Sequence, residues 1–95
     1  MQEDPDIQAY DAAKNRNEEI FPAELGVKLT DATRAGSSLV PVWREYREMT
    51  QTALAEASGV NRVYLSEIES GKKPGSVEAL KRIADALQIG LDDLV

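Results

Sequence analysis

The chain has 95 residues, with 17 acidic and 11 basic side chains, a net charge of −6, and neither cysteine nor histidine. That length holds one small domain, or one domain plus an arm. Lack of cysteine excludes a disulfide framework and a thiolate metal site, and lack of histidine removes the commonest general base and zinc ligand.

The N-terminal MQEDPDI has no apolar signal region and no run is long enough to span a membrane, so the cytoplasm is the expected location. Charge is uneven along the chain: residues 1–36 carry eight acids and four bases, whereas residues 44–73 carry five of each. The acidic excess argues against polyanion binding by the chain as a whole and leaves the middle segment balanced.

In chain order, residues 1–6 read as a tail. Ile7, Tyr10, Ala13, Asn17 and Ile20 fall near one weakly apolar face and predict a helix over 7–20, with Asp6 as its candidate cap. Pro22 suits the first position of a second helix, 22–34, whose stripe is Leu25, Leu29 and Ala32 and which Gly36 ends. Ser38 can cap a helix running to about Glu48, with Pro41 tolerated in its first turn and Trp43 and Tyr46 expected in the core. Thr50 caps 51–58, Gly59 breaks it, Asn61 opens 61–69, and Gly71 ends that helix. Lys72–Gly75 is a loop. Ser76 caps 77–88, where Val77, Leu80, Ile83, Ala84 and Leu87 give the cleanest apolar stripe, and Gly90 is its expected stop.

Residues 51–69 form a helix-turn-helix pattern. Ala55 provides the small residue that two steeply crossing helices need, Gly59 tolerates positive φ in the turn, and Val60, Leu65 and Ile68 seat the second helix on the first. Stepping 100° per residue from Asn61 puts Leu65 and Ile68 inward and Arg62, Val63, Ser66 and Glu67 outward. An outward face of that kind meets a major groove. Arg62 can donate to guanine O6 and N7, Val63 suits a thymine methyl, Ser66 is short enough to read a base, and Glu67 could accept from cytosine N4 while repelling phosphates. Thr50, Gln51, Asn61, Tyr64, Lys72 and Lys73 are the candidate phosphate contacts, with Tyr64 equally suited to packing.

The stretch REYREMTQTALAEASGVNRVYLSEIESGKKPGSVEALKRIADALQIGLDDLV resembles the XRE/Cro–CI type of helix-turn-helix domain over about residues 38–95. The preceding YDAAKNRNEEIFPAELGVKLTDATRAGSSLVPVWREYR resembles a bacterial subgroup that serves as antitoxins of type II toxin–antitoxin operons. The resemblance implies an all-α, five-helix Cro/CI-type domain over 37–95 behind an N-terminal helical arm over 1–36. It places base contacts on the outward positions above. It makes Gln51 a clamp on the DNA backbone and pairs Arg44 with Glu69 as a structural salt bridge. It often has glycine where this chain has Glu48, so a positive φ there would carry strain.

The expected function is sequence-specific repression by a dimer on a palindromic double-stranded operator, since one recognition helix covers only a few base pairs. Leu87, Ile89, Leu91, Leu94 and Val95 form an apolar terminus that could pair across the two-fold axis or merely close the monomer core. Residues 1–36 could order on a basic toxin partner or form an extra helical layer; the alternative is a stand-alone or phage-type regulator with a structural arm. No nucleophile–base constellation, phosphate loop or metal spacing is present, so neither an enzyme nor a cofactor is expected.

Overall fold

The computed structural model describes residues 20–95. The helix expected over 7–20 and its Asp6 cap lie outside the described residues, except for Ile20, which is non-helical and 90% exposed. Five α-helices follow: α1 (Ala23–Ala35), α2 (Val40–Tyr46), α3 (Gln51–Ser58), α4 (Arg62–Ser70) and α5 (Val77–Leu87). A short 3-10 helix, Leu91–Asp93, closes the chain, and there is no strand among the described residues. The expected all-α fold therefore forms, with α2 to α5 and the 3-10 helix as its five short helices.

Capping chemistry sets most of the boundaries. Thr50 Oγ1 accepts from Ala53 N–H at 3.0 Å and Ser76 Oγ accepts from Ala79 N–H at 3.1 Å, satisfying amides that have no partner within their own helix. Pro22 precedes α1 as its cap rather than forming its first residue, one position from expectation. Ser38 Oγ accepts from Val40 N–H at 3.2 Å, but α2 starts only at Val40 and stops at Tyr46 instead of reaching Glu48. Glu48 takes a left-handed φ of 60°, which turns the chain so that Met49 N–H donates to Arg44 C=O at 3.0 Å. That six-to-one bond satisfies an orphan helix carbonyl, and it forms here without the glycine that usually supplies the conformation.

The end of α5 is a second departure. The helix stops at Leu87, Gln88 adopts φ 61°, and Ile89 N–H donates to Ala84 C=O at 3.0 Å. Ile89 is 2% exposed, so burying its side chain turns the chain two residues before Gly90, which instead opens the 3-10 helix. Val77 also leaves the expected stripe: it is 66% exposed, while Ala79 is buried. Val77 is the first residue of α5, at the edge of the packed part of the helix.

α3 is the centre of the packing, with α4 and α5 against it. Leu54, Leu65, Ile83 and Leu87 are fully enclosed, each contributing roughly 1.5–3 kcal/mol of apolar burial. Trp43 is buried, and Tyr46 is half-buried against the same core. Trp43 Nε1 donates to Asp93 C=O at 3.2 Å, drawing the C-terminal turn onto the body of the fold. Burial then separates the two roles open to the apolar terminus. Leu87, Ile89 and Leu94 are buried within the chain, Leu91 is half-buried, and only Val95 stands out. The first three close the monomer core rather than offering a surface to a second copy.

α1 packs mainly on α2. Leu25 is its one buried residue, and Phe21 just ahead of it meets Trp43 and Tyr46 edge-on at ring distances of 5.3 and 5.8 Å. Among the described residues no helix is long and apolar enough to cross a membrane.

Candidate nucleic-acid interface

The turn between α3 and α4 is built from three local devices. Gly59 adopts φ 76°, a left-handed conformation that a side chain would strain. Ser58 Oγ, buried, donates to Ala55 C=O at 3.3 Å and accepts from Val60 N–H at 3.2 Å, so the turn leaves that hydroxyl satisfied. Asn61 Oδ1 accepts from Val63 and Tyr64 N–H at 2.8 and 3.2 Å, capping α4. Leu65 and Ile68, with Val60, then anchor α4 in the core beside Leu54 and Ala55.

That seating decides what α4 shows outward. Arg62 and Val63 are exposed, and Ser66 and Glu67 are half-buried. Glu67 is not a free acceptor: its carboxylate lies 3.3 Å from Lys73 Nζ, and Lys73 N–H donates to Glu67 C=O at 3.2 Å. The ion pair sets a cation against the one acid on the outward face, while Lys73 itself stays exposed. Lys73 Nζ also stands 6.0 Å from the centre of the Tyr64 ring. Tyr64 is half-buried and its hydroxyl accepts from Ser76 N–H at 2.8 Å, tying α4 to the start of α5.

A polar network braces α4 from the other side. Arg44 on α2 donates through Nε and Nη2 to the two oxygens of Glu69 at 2.8 and 3.1 Å, and through Nη1 to Met49 C=O at 2.9 Å. The fork is largely buried, with Glu69 and Arg44 side chains 7% and 16% exposed. Gln51 Nε2 donates to Glu69 Oε1 at 3.0 Å, and Gln51 Oε1 accepts from Arg62 Nη1 at 3.4 Å. Gln51, expected only as a backbone clamp, therefore links the buried pair to the exposed Arg62. Sequence reasoning missed this link, because the two residues are eleven positions apart and meet only when α3 and α4 cross. The Ser58 hydroxyl was also missed, although a serine immediately before a turn glycine was a signal for it.

The other candidates bracket α4. Thr50, Gln51 and Asn61 stand at the starts of α3 and α4, and exposed Lys72 and Lys73 follow the end of α4. A nine-residue helix is about 14 Å long, close to the roughly 12 Å width of a major groove. Donors at its two ends can thus reach the two strands that flank one groove. Leu87, Ile89 and Leu94 belong to no such surface.

Comparison with known proteins agrees with this geometry. A helix-turn-helix family model matches residues 43–94. Two proteins of Mycobacterium tuberculosis, from strains CDC 1551 and H37Rv, are named as uncharacterized HTH-type transcriptional regulators and are 33% identical over 78 residues. These alignments cover 82% of this chain and 56% of each relative, so the chain spans little more than half their length. The ImmF control region 10 kDa protein of Bacillus phage phi105 is 35% identical over 66 residues, covering 70% of this chain and 72% of that protein. No solved structure matches.

Proposed function

Because the chain belongs to the XRE-type helix-turn-helix family, we propose that it is a transcriptional regulator that binds double-stranded DNA by inserting α4 into the major groove. The observation that carries this reading is the seating of α4, clamped on one face by Leu65, Ile68 and the Arg44–Glu69 pair and open on the other at Arg62 and Val63. Arg62, held by Gln51, reads guanine; Val63 meets a thymine methyl; Ser66 reads directly or through water. Glu67 contributes only where Lys73 releases it. Thr50, Gln51, Asn61, Tyr64, Lys72 and Lys73 hold the phosphates.

The protein acts as a repressor and as a dimer, with half-sites about 34 Å apart on a palindromic operator. The names of the phage and mycobacterial relatives support regulation of this kind. The second copy is met through Val95 and the half-buried Leu91, since the rest of the terminus is core. Residues 37–95 form the DNA-binding domain and residues 1–36 an arm. In the fuller reading the arm captures a basic toxin and the protein is an antitoxin that represses its own operon. The sequence resemblance of residues 10–47 supports it, as does α1, which buries only Leu25 on the domain.

Selection of bound sequences from a random DNA pool, followed by mobility shifts on the winners, tests the DNA reading. A palindromic consensus is expected, with Arg62→Ala losing preference at one base of each half-site. No enrichment by a folded protein would overturn it. Co-purification of the neighbouring gene product, lost on deletion of residues 1–36, tests the antitoxin reading.

A further inference from the structure

A cleft of about 240 Å³ lies beside the turn, between the start of α4 and the first turns of α5. Asn61 and Tyr64 line one wall, and Ser76, Glu78 and Arg82 the other. Three donors here have no acceptor among the described residues. Asn61 spends its Oδ1 on the amides of Val63 and Tyr64, which leaves its NH2 group unused. The Tyr64 hydroxyl oxygen accepts from Ser76 N–H, so its own proton remains available. Arg82 gives Nη2 to Glu78 Oε2 at 2.8 Å, while Nη1 reaches across the cleft, 3.9 Å from where a Cβ on Gly59 would stand.

One cation and two neutral donors among the residues that line one open cleft fit an anion with several oxygens. The cleft opens at the same end of α4 as Arg62, the end that enters the groove, where the nearest anion is the DNA backbone. We propose that this cleft clamps a backbone phosphate of bound DNA, with Arg82 as its cation. The proposal rests on the DNA-binding reading above and adds a residue to it.

Glu78 is the opposing charge. Its side chain is 75% exposed and that of Arg82 is 53% exposed, so the pair is solvated and weak, and a phosphate can take its place. In the free protein Glu78 holds the guanidinium; on DNA the guanidinium transfers to the phosphate and Glu78 swings to solvent.

The test uses the full chain on its selected operator, with binding measured by fluorescence anisotropy over a salt series. Arg82→Gln is expected to weaken binding roughly five- to tenfold and to lower the log–log salt slope by about 0.9 per subunit, the share of one phosphate. Base preference stays unchanged, and Arg82→Lys retains most of the slope. A single neutral methylphosphonate linkage in each half-site should weaken the wild type and leave Arg82→Gln unaffected. The proposal is overturned if Arg82→Gln keeps the wild-type slope, if Arg34→Gln on α1 lowers the slope equally, or if no linkage position shows that dependence. A wild-type protein that binds no DNA overturns the DNA-binding reading and the clamp together.

Discussion

Glu69→Ala should be the most damaging polar substitution among the described residues. Glu69 accepts from Arg44 Nε, from Arg44 Nη2 and from Gln51 Nε2, all within 3.1 Å. Truncation leaves three donors without an acceptor, two of them on a guanidinium only 16% exposed. At about 1 kcal/mol for each partly wetted orphan, the loss is roughly 3 kcal/mol, the lower end of the range for breaking a buried pair. A domain of this size has about 4–11 kcal/mol in all, so roughly a quarter or more of its stability goes. Urea unfolding followed through Trp43, the single tryptophan and one that is buried, gives the midpoint directly. Arg44→Ala/Glu69→Ala should recover part of the loss, because no orphaned charge remains, with a coupling of about 1–3 kcal/mol. A loss below about 1 kcal/mol, or strict additivity, would refute the argument and mean that desolvation cancels the attraction within the pair.

Three further outcomes follow from the packing. Glu48→Gly should stabilise the protein by about 0.5–1 kcal/mol, raising the melting midpoint by roughly 2–8 °C, because the exposed Glu48 sits at φ 60°; an unchanged midpoint would remove the strain argument. Leu87→Ala should cost about 2–5 kcal/mol in denaturant unfolding, since Leu87 is fully enclosed in the monomer, and a variant of full stability with altered oligomeric state would return Leu87 to an interface. Phe21→Ala should release the start of α1 from Trp43 and Tyr46 at a cost of about 1–2 kcal/mol. Hydrogen exchange would then show faster amides in α1 with α3 to α5 still protected, and uniform protection would contradict it.

Much of the fold was legible because its signals are local. Thr50, Asn61 and Ser76 sit where helix amides need an acceptor, Gly59 sits where φ must be positive, and Leu65 and Ile68 share one helical face. Each depends on residues within a turn or two, so periodicity and capping chemistry alone determine α3, α4 and α5 and the outward position of Arg62 and Val63. What the chain order could not decide involves competition between distant groups. Ile89 ends α5 early because a buried site awaits it, and Trp43 draws the C-terminus inward through a bond spanning fifty residues. Leu87, Ile89 and Leu94 satisfy a core and a dimer surface equally well as a string of apolar letters; only the tertiary packing assigns them inward. The same holds for the polar residues. Gln51, Glu67 and Lys73 read as free contacts along the chain, but the crossing of α3 and α4 and the loop after α4 bring partners to each. The net charge of −6 is likewise a property of the sequence, and the Glu78–Arg82 pair is local, four residues apart on one helix, whereas the pairing of Glu67 with Lys73 and of Glu69 with Arg44 is set by the fold, which brings opposite charges within reach.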